Sequence, residues 1–153
     1  MEKDLELLKE IYTCTNSNST TLNYLLPCVQ NSSLRRAIIT QINENDKINS
    51  DTKSEISNMG EKAPKNTFTV ITAKVSTKIN TAVDKSDSHI AELIINESNK
   101  GIIDITKKIN SNQTAAPTCY NLARRYLKNE KDNIEIIKTY LWTHGRRIFS
   151  PCR

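Results

Sequence analysis

Residues 4–30 read DLELLKEIYTCTNSNSTTLNYLLPCVQ. Within them Leu8, Ile11, Thr15, Asn18, Leu22, Leu25 and Val29 recur at alternating steps of three and four. That spacing puts all seven on one face of an α-helix, whereas a half-buried strand needs strict alternation. The stretch therefore predicts an amphipathic helix carrying a heptad seam. Pro27 lies near its end, and Gln30-Asn31-Ser32-Ser33 supplies a short polar connection whose Asn or Ser can cap the next helix.

The same arithmetic carries down the chain. Ile38, Ile42, Asn45, Asn49, Thr52, Ile56 and Met59 form a second seam over 33–59, closed by Gly60 as a C-terminal cap. A connection at 61–66 contains Pro64, and Thr67 can cap the next segment. That third segment places Phe68, Ile71, Val75, Ile79 and Ala82 in line, meets Asp84-Lys85-Ser86-Asp87, and resumes with Ile90, Ile94, Gly101, Ile105 and Ile109. This predicts either one kinked helix or two helices separated at 84–87, the second capped by Asp84 or Ser86. Pro117 suits the first turn of a last helix over 117–143. That helix carries Ala123, Leu127, Glu130, Ile134, Ile137 and Leu141 on one face, with Leu122, Tyr126, Ile136 and Tyr140 beside it, and stops at Gly145. Short polar connections between long amphipathic helices favour antiparallel neighbours. The expected fold is all-α: an antiparallel up-down four-helix bundle over 1–144, followed by a basic tail over 145–153.

Composition agrees. Three Gly and four Pro in 153 residues are too few for the frequent tight turns of a β-sandwich. A chain of this length buries roughly two thirds of its unfolded surface, so no disulfide or metal is required to hold it. Cys14, Cys28, Cys119 and Cys152 form no CxxC pair or zinc-type array and read as free thiols. Cys14 and Cys28 would lie roughly 21 Å apart along one helix, beyond disulfide reach. The acidic, amphipathic start MEKDLELLKE lacks the apolar core of a signal peptide, and no apolar run reaches membrane-spanning length. The expectation is a cytoplasmic protein without a membrane partner, and the four Asn-x-Ser/Thr matches are read as chance.

The 22 Lys and Arg exceed the 17 Asp and Glu, but the signs are interspersed. Arg35-Arg36, Lys107-Lys108, Arg124-Arg125 and Arg146-Arg147 are scattered over three helices and the tail, so a nucleic-acid partner is not expected. No Gly-rich phosphate loop or GxSxG elbow is present, and no catalytic set is assigned.

The polar residues of the seams fall near helix middles, where helices of an antiparallel bundle cross. Thr15, Asn18, Asn45, Asn49, Ser98, Glu130 and Asn133 are expected to form a central polar layer between two apolar ones. Bundle proteins build metal sites in that place, typically from four carboxylates and two imidazoles in Glu-x-x-His pairs. This chain has no Glu-x-x-His, and its histidines are His89 and His144. No cofactor is assigned; were a metal bound, its candidate ligands would be His89, Glu92, Glu97 and Glu130. Glu130 among Leu127, Ile134 and Ala123 must be paired, protonated or tilted outward, because an unpaired buried carboxylate costs several kcal/mol. A bond to Asn18 or Asn45, or a Lys ion pair, is the expected solution.

The run Ser88-His89-Ile90-Ala91-Glu92-Leu93-Ile94-Ile95, followed by Gly101-Ile102-Ile103-Asp104-Ile105-Thr106, resembles a stretch of an uncharacterised family of small bacterial ferritin-like four-helix-bundle proteins. Helix order and the extent from about 4 to 141 are similar as well. The resemblance implies a ferritin-like bundle without an assigned activity, and it does not imply iron. Glu97 and Lys100 stand where that family is expected to carry small or apolar residues, which bears on the packing around Gly101. The function expected is that of a non-catalytic bundle acting through self-association, as a homodimer, or through a protein partner. The alternatives are a degenerate di-iron-type metal binder and a basic nucleic-acid-binding bundle.

Overall fold

The computed structural model describes residues 1–65, 67–82 and 84–142, which form five α-helices and no strand among the described residues. They are α1 Glu2–Leu25, α2 Ser32–Asn58, α3 Phe68–Asn80, α4 Asp87–Ser111 and α5 Pro117–Lys138, with a 3-10 turn Leu26–Cys28 after α1. His144 and the basic tail 145–153 lie outside the described residues.

Local chemistry sets the boundaries. Pro27 has no N–H to extend α1, and the chain tightens into the 3-10 turn that contains it. Asn31 caps α2, its side chain accepting from the N–H groups of Ser33 at 2.8 Å and Leu34 at 3.1 Å. Gly60 comes after α2 at φ +77, a conformation glycine adopts without steric cost. The third segment is split rather than kinked. Ser86 accepts from the His89 N–H at 3.3 Å and so starts α4 afresh, with Asp87 in the positive first turn. Pro117 occupies the first turn of α5, which ends at Lys138 rather than near 143.

Bonds between helices fix their sense. Asn49 reaches the Tyr12 carbonyl and Ser19 reaches Asp46, so α2 runs against α1. Lys3 reaches the Ser111 carbonyl and Ser17 reaches Glu97, so α4 also runs against α1. Asn129 to Asn45 and Arg125 to Asp51 set α5 against α2. With α2 and α4 both opposed to α1, the four long helices do not alternate as the expected up-down order requires; the chain must return between α2 and α4 along the molecule's length, and α3 makes that return. It packs on α1 and buries only Val75 and Ile79, leaving Phe68 and Val70 exposed.

Two apolar clusters result. One contains Leu22, Leu25, Leu34, Ile38, Ile90, Ile94 and Ile137; the other contains Leu7, Leu8, Ile11, Ile48, Ile56, Ile105 and Tyr126. Each fully buried Leu or Ile contributes about 1.5–3 kcal/mol, so these clusters carry the stability. The buried face of α5 is wider than the expected one: Ala123, Glu130 and Ile137 of the expected face are buried and so are Leu122, Tyr126 and Asn133 beside it, whereas Leu127 and Ile134 are half-buried, and beyond the helix Tyr140 is buried and Leu141 exposed. The reason is that α5 meets α2 and α4 on its two flanks, which widens the covered stripe beyond a single heptad seam. Two carboxylates tie the ends. Asp87 accepts from the Gln30 and Asn31 N–H groups at 2.9 and 2.7 Å, and Asp4 accepts from Asn112 at 2.8 Å and the Ala116 N–H at 3.3 Å.

Candidate functional site

Between the apolar clusters lies Glu130, fully buried at the middle of α5. Its Oε2 accepts from Asn18 Nδ2 of α1 at 2.8 Å and, more weakly, from Gln41 Nε2 of α2 at 3.5 Å. The Ser98 hydroxyl of α4 stands near enough to lower the carboxyl pKa, although Oε1 itself has no hydrogen-bond partner among the described residues. Asn18 Oδ1, Gln41 Oε1 and Asn45 Nδ2 are likewise buried without a protein partner. Of these four atoms without a partner, three are acceptors and one is a donor. A proton on Glu130 corrects the balance, because a neutral carboxyl group donates one O–H, whereas a carboxylate only accepts. Burial pushes the same way. It raises the Glu130 carboxyl from 4.5 to about 7, against the hydrogen bonds of Ser98, Asn18 and Gln41 and with help from Glu97.

The other expected polar residues flank this centre. Thr15 accepts from Asn49 at 2.8 Å while donating to the Ile11 carbonyl, which joins α1 to α2. Asn45 accepts from Asn129 at 3.0 Å, and Asn133 donates to Asn129 at 3.3 Å. Gln41, buried beside them, was not part of the expected layer. It occupies the turn before Asn45, and only its polarity among buried neighbours marks it.

The four candidate metal ligands are not brought together. His89 Nδ1 lies 3.9 Å from Glu92 at the surface start of α4, Glu97 accepts from Ser17 in the α1–α4 groove, and Glu130 is in the core. An i, i+3 pair on an outer helix face cannot reach a residue on the inner face of another helix. Instead Glu10, Cys14 and Asp104 place one ligand atom each within 4.8 Å of one another, the one such group of three among the described residues. They line a cavity of about 160 Å³ together with Gly101 and Tyr126. Cys14 Sγ lies 3.7 Å from Glu10 Oε1. Burial first, then the charges of Glu10 and Asp104, push this thiol far up, so it is protonated at neutral pH and is not a nucleophile. Burial also raises Cys119, to about 11. Cys14, Cys28 and Cys119 are free. Nothing in the sequence linked Asp104 to Glu10 and Cys14, because the link exists only once α4 lies against α1.

Glu97 and Lys100 do not prevent close packing at Gly101. Glu97 is half-buried in the groove and Lys100 is exposed, while Tyr126 of α5 lies directly on the glycine. The described members of the basic pairs make separate contacts. Arg35 binds the Val29 carbonyl at one end of the molecule, Lys108 pairs with Glu6 at the other, and Arg125 pairs with Asp51 on the side. The pair Arg146-Arg147 lies outside the described residues. No described helix is long and apolar enough to cross a membrane. No protein-family model, curated protein or solved structure matches the chain.

Proposed function

We propose that the chain is a non-catalytic four-helix bundle with the single-crossover topology of ferritin-like folds, acting in the cytoplasm through a second copy of itself or another protein. The topology is supported by the senses of α1, α2, α4 and α5 around the two apolar clusters, with α3 as the crossover. The observation that carries the non-catalytic reading is the shell of Glu130. At the level where carboxylate-bridged metal bundles converge Glu and His, this chain converges Asn18, Gln41 and Ser98 on one carboxyl group. Carboxamides from different helices fix register, and no second acid or base is hydrogen-bonded to Glu130 among the described residues. Size-exclusion chromatography with light scattering on the full chain is expected to give the mass of a dimer, or of a complex once a partner is captured. A strict monomer that recovers no partner overturns this reading.

The group Glu10, Cys14 and Asp104 favours a second reading, metal binding displaced from the bundle centre to the α1–α4 groove. Two carboxylates and a thiolate suit a divalent transition metal, which must displace the thiol proton and therefore binds more tightly as pH rises. Cobalt(II) titration of the reduced protein then gives a thiolate-to-cobalt charge-transfer band that C14S abolishes. No band at stoichiometric cobalt rejects the reading.

A further inference from the structure

Farther along the same groove, α3 closes a second cavity of about 280 Å³ between itself, α1 and α4. Lys74 and Lys78 enter from α3, one turn apart and on one face. Lys100 enters from α4, with Asn96 beside it and Ser17 opposite on α1. None of the three lysines has an ion-pair partner among the described residues. The single acid lining the cavity, Glu97, accepts from Ser17 at 3.1 Å. Three lysines against one carboxylate leave two positive charges in excess around the cavity.

The geometry points to a binding site for a small phosphorylated ligand, its phosphate held by Lys74, Lys78 and Lys100. A phosphate monoester carries about −1.5 to −2 charges at neutral pH, which matches the excess. Its oxygens accept short charge-assisted bonds from ammonium groups, for which lysine is a regular partner. The Asn96 amide supplies a neutral donor, and the Glu97 carboxylate, which already takes the Ser17 hydroxyl hydrogen, disfavours an anion that comes too near α1. Two of the three lysines belong to α3, whose own apolar anchorage is thin, so an occupant also fastens this helix to α4.

Isothermal titration calorimetry of the full chain with inorganic phosphate and, separately, adenosine monophosphate at fixed ionic strength tests the assignment, alongside hydrogen exchange of the α3 amides. Saturable binding that slows exchange in α3 is expected. The triple variant K74A/K78A/K100A, which removes only exposed side chains, should weaken it about tenfold or more. K47A/K53A, on α2, should leave it unchanged. Phosphate binding as tightly as the monophosphate identifies the free anion as sufficient; tighter binding of the monophosphate identifies an organic phosphate. No binding of either probe, equal loss in K47A/K53A, or an effect that chloride reproduces overturns the proposal.

Discussion

Replacing Gly101 with alanine is expected to destabilise the protein by about 2 kcal/mol, although the change improves helix propensity. The propensity gain is about 1 kcal/mol at most. Against it stands Tyr126, whose hydroxyl oxygen would overlap the new Cβ and whose Cζ would lie at 3.1 Å from it. The ring is almost fully buried and meets Cys14 as well as Gly101, so it cannot swing aside without opening the second apolar cluster. Overpacking of this kind costs about 1–3 kcal/mol and at times more, which outweighs the gain. Urea unfolding reads the difference. In a Y126F background the hydroxyl clash is absent and only the Cζ contact remains, so the cost of Gly101→Ala should fall below about 1 kcal/mol, a coupling between contacting sites. An alanine variant as stable as the parent, or equal costs in the two backgrounds, rules out this account of the α4–α5 contact.

Glu130→Gln is expected to act in the opposite direction and to depend on pH. In the folded protein this carboxyl titrates at about 7, against 4.5 for an unperturbed glutamate. A raised acid favours the folded state while protonated, so its contribution is complete below about pH 4.5 and is lost as pH rises towards 7. Above 7 a buried negative charge remains, costing about 3 kcal/mol for a shift of this size. Glutamine keeps the shape, accepts from Asn18 and Gln41, and brings the N–H donor that the orphaned oxygens need. E130Q should therefore match the parent near pH 4.5 and exceed its stability by up to about 3 kcal/mol at pH 8, the gap opening between those values. Chemical denaturation across pH measures it. A gap that does not vary with pH means that Glu130 keeps one protonation state throughout. E130A makes the contrast, since it leaves the Asn18 and Gln41 amides without their acceptor and should be destabilising at every pH.

The helices themselves were legible because helix formation is governed by local spacing and local caps. Leu8, Ile11, Leu22 and Leu25 announce a face by their separation alone, and Asn31, Gly60, Ser86 and Pro117 announce its ends by their chemistry. The break after Asn80 was one of two open choices, because the polar run at 84–87 is compatible with either a kink or a stop until Ser86 is seen accepting from the His89 N–H. The covered stripe of α5 was harder to read. Leu127 and Tyr126 are adjacent in sequence and both apolar, and which of them faces inward depends on how α2 and α4 flank the helix.

By itself, then, the sequence determined that this chain is helical, roughly where each helix starts and stops, and that Thr15, Asn18, Asn45 and Glu130 interrupt apolar seams near helix middles. Those properties depend on residues a few positions apart, which every conformation of the chain keeps close. The tertiary structure alone decided that Asn18 and Gln41 hold Glu130, that Asp104 joins Glu10 and Cys14, that Tyr126 sits on Gly101, and that Lys74, Lys78 and Lys100 share one cavity. Each of those groupings unites separate helices, and the helix offset that creates it is set by the packing of two whole apolar clusters, a global sum that no local pattern encodes.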